Sequence, residues 1–195
     1  MVFELKGRVI FFATNNVNKF NEARMVFAEY KIAVGMLRVK TLEIQNDSLE
    51  EIAKASAIDA FAKCNLPIIV EDAGLFVEGL NGFPGPYAAY VYKTIGNKGL
   101  LRLMENVENR KSRFQSAIAY CDEALELPLC FKGEVTGEIM REERADKGKS
   151  GFGFDPIFKP ANSGKTFAQM STAEKNDYSH RAKALRKFAE FYRAL

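Results

Sequence analysis

The sequence predicts an α/β protein. Arg8 to Ala13 holds the run V-I-F-F-A, and Ile68-Ile69-Val70 is a second short apolar run; both fit strands buried on both faces. Each adjoins a segment with helical patterning, so strand–helix units recur along the first part of the chain. A length of 195 residues suits a single domain, residues 1–195, built as two lobes and able to bury most of its apolar surface.

The elements follow in order. Thr14 to Asn18 is a polar turn, and from Lys19 a helix is expected with Phe20, Ala23 and Phe27 on one face. Ser48-Leu49-Glu50-Glu51 is a capping box, with Ser48 as N-cap and Glu51 reaching back. The helix it opens carries Leu49, Ile52, Ser56 and Ala60 on one stripe and ends at Leu66-Pro67. The strand from Ile68 runs into Glu71-Asp72. Gly79 to Tyr87 is rich in glycine and proline and reads as a loop. Leu100 to Val107 reads as a helix. Phe114 to Cys121 and Leu129 to Ile139 read as strands, joined as an antiparallel hairpin across the Asp122–Pro128 turn. Glu142 to Ser150, charged and glycine-containing, is expected to be a mobile loop. A second capping box, Ser171-Thr172-Ala173-Glu174, precedes a C-terminal helix with Ala182, Leu185, Phe188, Tyr192 and Leu195 on its stripe.

Bulk chemistry narrows the function classes. With 28 basic and 25 acidic residues the net charge is +3, too balanced for a nucleic-acid surface and compatible with a small anionic substrate. Cys64, Cys121 and Cys130 form no C-x-x-C pair, and the single His180 cannot complete a zinc site with them, so reduced thiols are expected. Met1 to Lys6 does not read as a signal peptide, and no apolar stretch approaches membrane-spanning length. A soluble cytoplasmic protein follows, with no membrane or nucleic-acid partner.

Four stretches have the residue types for chemistry. Thr14-Asn15-Asn16-Val17-Asn18-Lys19 lies between a strand end and a helix start, where backbone N–H groups attract anions and a lysine adds a full charge. It is not a Walker A loop, and a plain N-cap accounts for its Thr and Asn equally well. Glu71-Asp72 follows a buried strand, where sites in α/β sheets lie. Mg²⁺ takes one or two carboxylates plus waters and phosphate oxygens. Strand alternation sends Glu71 and Asp72 to opposite faces, so Glu43 is the candidate second ligand. Phe152-Gly153-Phe154-Asp155 offers ring faces beside close-approach backbone for a nucleobase, although two core phenylalanines in a turn explain it locally. Lys175 and Arg181 read locally as a solvated helix face, and a lone histidine such as His180 as structural. Lys175 and His180 point apart on an unbroken helix; if they serve one site, the helix must break near Ser179, a good N-cap.

Taken together in order, T-N-N-V-N-K, Glu43, E-D-A-G-L with G-F-P-G-P-Y, G-F-G-F-D-P-I-F and T-F-A-Q-M-S-x-x-E-K-N-x-x-S-H-R resemble the inosine triphosphate pyrophosphatase family, also called the Ham1 or RdgB family. The resemblance runs from Ile10 to Phe188. It implies an elongated two-lobed Ham1/Maf-type fold, with a long mixed sheet flanked by helices and an active-site cleft between lobes. It implies a homodimer that hydrolyses ITP, dITP and XTP to the monophosphate and pyrophosphate, cleansing the nucleotide pool of deaminated purines. By motif, Thr14, Asn15, Asn16, Val17, Asn18 and Lys19 hold phosphates. Glu43 and Asp72 hold one Mg²⁺ per subunit, with Asp72 also the general base. Phe152, Gly153, Phe154 and Asp155 form the base pocket, and Lys175, His180 and Arg181 add substrate contacts. Three positions depart from the commoner pattern. Asn18 replaces glycine but tolerates left-handed backbone; Ala73 replaces Ser or Thr, removing a hydroxyl and leaving its backbone N–H; Phe154 replaces Tyr or Trp and keeps a stacking face.

Base choice follows from hydrogen bonding. Hypoxanthine and xanthine present an O6 acceptor and an N1–H, which suit donors from His180 or Arg181 and an acceptor on Asp155. Adenine inverts both and leaves those groups unmatched, a mismatch worth about 10⁴-fold or more. Guanine shares O6 and N1–H, and only its 2-amino group differs. The rival readings are a broader (d)NTP pyrophosphatase and a non-catalytic nucleotide-binding module.

Overall fold

A computed structural model describes residues 9–146 and 151–195. Strand β1 (Val9–Ala13) lies between β2 (Ala33–Leu37) and β3 (Ile68–Val77), parallel to both. The two-residue β4 (Pro84–Gly85) adds antiparallel to β3. Then β5 (Lys111–Cys121), β6 (Leu129–Ile139) and β7 (Phe158–Pro160) extend the sheet in the order β2-β1-β3-β5-β6-β7. The result is a mixed seven-stranded sheet with helices α1 (Val17–Glu29), α2 (Leu49–Cys64), α3 (Ala88–Thr94), α4 (Gly96–Leu103), α5 (Thr172–Tyr178) and α6 (His180–Ala194), as the α/β class requires. Along β5 and β6, Ile139 N–H donates to the Arg110 carbonyl (2.9 Å) and the Gln115 amide to Glu134 (2.7 Å). Residue numbers rise on one strand as they fall on the other, which is the antiparallel order of a hairpin.

The chain packs as two compact units. One holds residues up to Asp72 with Ala117–Lys132 and Ala184–Leu195; the other holds Ala73–Ser116 and Gly133–Lys183. In the first, Ile10 and Phe12 of β1 and Ile68 and Ile69 of β3 are wholly buried. Ala23, Val26 and Phe27 of α1 and Leu185 and Phe188 of α6 are equally buried, with Phe27 and Phe188 edge-on at 5.8 Å. Ala53, Ala57 and Ala60 give α2 a buried stripe of small side chains, which permits close packing. In the second unit, Leu75 and Val77 of β3, Leu100 of α4, Phe114, Ile139 and Phe158 share one apolar cluster. At about 1.5–3 kcal/mol per fully buried large side chain, these cores dominate the fold.

Several elements differ from the sequence expectation. Helix α1 starts at Val17, two residues early, because Asn16 caps it. Strand β2 is unforeseen: it is a half-buried edge with Gly35 against the Phe11 ring, so it carries neither an apolar run nor clean alternation. Strand β3 runs on to Val77 rather than stopping near Asp72. Helix α3 and the short β4 and β7 went unmarked, α4 ends at Leu103 rather than Val107, and β5 begins three residues before Phe114. Residues 1–6 and 147–150, named above as no signal peptide and as part of a mobile loop, lie wholly or in part outside the described residues. The described part of that loop is pinned: Arg144 N–H donates to the Pro156 carbonyl (2.8 Å), and the Thr166 hydroxyl donates to the Arg144 carbonyl (2.6 Å). Among the described residues no helix is long and apolar enough to cross a membrane.

Candidate active site

The predicted residues fall into two groups, one in each unit. In the first unit β1 ends at Ala13, and Thr14 N–H still bonds the Leu37 carbonyl (3.1 Å). Asn16 then caps α1: its Oδ1 accepts from Asn18 N–H (3.0 Å) and Lys19 N–H (3.2 Å), while Asn16 N–H bonds the Thr14 hydroxyl (3.1 Å). Thr14, Asn16 and Lys19 are half-buried, and Asn15, Val17 and Asn18 exposed. Asn18 is the second residue of α1, so the left-handed tolerance expected of it is not used. An anion at this helix start meets the positive end of the helix dipole, with two of its N–H groups already taken by Asn16.

The register of β1 on β3 pairs Phe11 with Ile68 and Phe12 with Ile69. Continued, it sets Thr14 level with Glu71, so the loop leaves the sheet at the height of the acidic pair. Glu71-Asp72 thus lies at the carboxyl end of β1 but in the middle of β3, which corrects the expectation of a strand terminus. The Lys19 ammonium stands 3.4 Å from both the carboxylate and the carbonyl of Glu71, whose side chain is fully buried. Asp72, next along the strand, is half-buried, as is Ala73. Alternation therefore separates the pair as expected, with Glu71 given to Lys19.

Glu43 is exposed on the segment between β2 and α2. Its neighbour Leu42 is fixed by α2 at both backbone groups: Leu42 N–H donates to Asp59 (2.8 Å), and the Ser56 hydroxyl donates to the Leu42 carbonyl (2.8 Å). Sequence reasoning missed Ser56 and Asp59, whose helical spacing of three was the available signal. Among the described residues no three His, Cys, Asp or Glu side chains gather as a metal-binding group. Mg²⁺ needs only one or two carboxylates, with water and phosphate oxygens completing its shell, so Glu43 and Asp72 fit it by donor type.

The second unit holds the other group. Asp155 opens a one-turn 3₁₀ helix, Asp155–Ile157, after Gly151 and Gly153, which both take positive φ (64° and 60°). Its Oδ2 accepts from Phe152 N–H (2.9 Å) and from the Lys175 ammonium (2.7 Å), with both side chains under a tenth exposed. Asp155 and Lys175 therefore form a buried pair that closes the Phe152 turn, a role the motifs did not show. Phe154 corrects the expected stacking face: it is 3% exposed, edge-on to Tyr92 at 5.5 Å, within the apolar cluster. Of the two rings, Phe152 is the one that stays half-buried, beside half-buried Gly153.

The helix breaks at Ser179, the break that a site shared by Lys175 and His180 would need. Helix α5 stops at Tyr178, Ser179 turns extended (φ −68°, ψ 148°), and α6 restarts at His180 with the Ser179 hydroxyl accepting from Ala182 N–H (3.1 Å). Ser179, His180 and Arg181 are all buried. The Ser171–Glu174 capping box holds the start of α5. Hydrogen bonds from Lys165 first, then from Ser171, hold the Glu174 carboxyl down at about 2 against an ordinary 4.5. Its stabilisation is thus complete above the ordinary value, declines progressively as pH falls below it, and is gone below about 2.

The chain matches the model of the Ham1 family over residues 10–191. A Methanopyrus kandleri protein named dITP/XTP pyrophosphatase is 48% identical over 184 residues, covering 94% of this chain and 96% of the relative. A Thermococcus kodakarensis protein of the same name is 48% identical, covering 92% and 95%. Among solved structures, the Ham1 protein of Staphylococcus aureus superposes with a TM-score of 0.80 at 30% identity, covering 96% of this chain and 99% of that one. A HAM1 protein from Coxiella burnetii gives 0.82 at 28%, covering 96% and 100%.

Proposed function

The chain belongs to the Ham1 family, and from that premise we propose that it hydrolyses ITP, dITP and XTP to the monophosphate and pyrophosphate, cleansing the nucleotide pool of deaminated purines. One observation carries the chemistry: the register of β1 on β3 brings the loop before α1 level with Glu71-Asp72, and Lys19 in the first turn of α1 meets Glu71 across 52 residues of sequence, so a helix start suited to an anion and the acidic pair lie at one height of the sheet. A passive nucleotide-binding module needs no such carboxylates, whereas hydrolysis of a polyanion does.

In this reading Thr14, Asn15, Asn16, Val17, Asn18 and Lys19 hold the triphosphate, with the Lys19 charge as their strongest element. Glu43 and Asp72 would hold one Mg²⁺ per subunit, which when bound offsets charge on the pyrophosphate leaving group. Asp72 takes a proton from a water aimed in line at the α-phosphorus. Glu71 keeps Lys19 in place, and the Ala73 backbone N–H is a further substrate contact. Phe152 and Gly153 lie along the base. His180 and Arg181 donate to O6. Lys175 and Asp155 shape the turn, and any acceptor role of Asp155 toward N1–H falls to its Oδ1. A homodimer in the cytoplasm, acting on free nucleotides, completes the proposal on the strength of the family resemblance.

The same donors and acceptor argue against a broad dNTP pyrophosphatase, because adenine leaves them unmatched. We expect kcat/KM for ITP and XTP to exceed that for ATP by about 10⁴-fold or more, with GTP between them. A panel of ITP, XTP, GTP and ATP under Mg²⁺ measures this. Equal rates on ITP and ATP would establish the broad enzyme instead, and no turnover of any of the four would establish the binding module.

A further inference from the structure

No motif singles out Phe114, yet it lies against the base-reading group. It sits on β5, about a tenth exposed, and its ring lies flat on the His180 imidazole: centroids 4.8 Å apart, planes within 9°. The same ring meets Phe158 edge-on at 4.7 Å and Phe167 at 6.2 Å, and Phe158 meets Phe167 at 5.1 Å. The Lys175 ammonium stands 5.3 Å from the centre of the Phe167 ring. Three phenylalanines from β5, β7 and the turn before α5 thus make one aromatic cluster that touches both Lys175 and His180, the residues on either side of the Ser179 break.

We infer that Phe114 is a positioning residue for base recognition, acting through His180. The inference rests on the proposed contact between His180 and the base. The last torsion of a histidine side chain is broad and roughly two-fold, so its neighbours choose its plane, and a stacked ring is one of them. A hydrogen bond weakens steeply away from linear, so the plane of the ring decides whether its N–H meets O6. A ring stacked in parallel, its centroid 4.8 Å from that of the imidazole, restricts that plane, whereas an aliphatic side chain of similar bulk does not. Phe114 therefore contributes to choosing inosine over adenosine without touching either.

His180 is the only histidine, so its ring protons give one isolated set of NMR signals. In the native protein these signals are expected upfield of their position in denaturant, because they lie over the Phe114 face. Phe114→Leu is expected to move them back and to lower the ITP-to-ATP ratio of kcat/KM at least about tenfold, while Phe114→Tyr keeps both. A merely structural role would lower active enzyme for every substrate alike, and an unchanged ratio in Phe114→Leu overturns the inference. His180→Ala separates the two readings: if it leaves the ratio unchanged, the base contact itself is wrong. If it lowers the ratio while Phe114→Leu does not, only the role of Phe114 falls. Should Phe114→Leu not fold, Phe114→Met is read in its place, and unshifted His180 signals in the native wild type overturn the stack by themselves.

Discussion

Asp72→Asn is expected to fold normally and to turn over ITP at least about 10²-fold more slowly. Asparagine keeps the shape and hydrogen-bonding reach of aspartate but cannot accept a proton at neutral pH. The position is half-buried within a ten-residue strand fixed by its neighbours, so an isosteric change leaves β3 intact. Asp72 is singled out over Glu71 because the Glu71 carboxylate is fully buried and already engaged by Lys19 at 3.4 Å. The loss should appear in kcat at saturating ITP and Mg²⁺, with the melting temperature within a few degrees of wild type. Near-wild-type turnover would remove Asp72 from the role of base, whatever its effect on the Mg²⁺ requirement.

Asp155→Ala is expected to cost about 3–5 kcal/mol of stability. The change removes the Asp155 carboxylate from a Lys175 ammonium that is 7% exposed and from the Phe152 N–H. Removing one member of a buried ion pair costs far more than the pair itself contributes, and that asymmetry sets the size of the effect. Replacing both partners, Asp155→Leu with Lys175→Met, should recover most of the loss, because neither charge then stays buried. Urea midpoints of the three proteins measure this. A single-variant cost below about 1 kcal/mol would mean that the pair is not a buried strut.

Much of this was legible in the sequence because its signals are local. The Ser171 capping box forms as read, whereas at Ser48 only the N-cap half forms, because the Ser48 N–H donates to Asn46 rather than to Glu51; the buried β1 and the start of β3 read directly from continuous apolar runs. The helix break at Ser179 followed from a geometric demand: two residues five apart cannot face one site without it. What was not legible depends on distant partners. Strand β3 outlasts its apolar run because β4 pairs its far end, and Gly74 admits the Gly85 carbonyl where a Cβ would stand 2.6 Å from it. Phe152 and Phe154 alternate identically in sequence, but Phe154 joins the apolar cluster with Val91 of the unforeseen α3, with Tyr92 edge-on to its ring. Asp155 and Lys175 look like ligand contacts in a motif, and only their 2.7 Å pairing shows them holding each other.

Hydrolysis of ITP in ¹⁸O-water with Mg²⁺, followed by ³¹P NMR, tests the proposed chemistry most directly. The account predicts two products, IMP carrying the isotope on its phosphate and unlabelled pyrophosphate, because Asp72 aims water at the α-phosphorus. Label in the pyrophosphate would place the attack on the β-phosphorus, and IDP with inorganic phosphate would place the cleavage at the wrong bond; either result contradicts it.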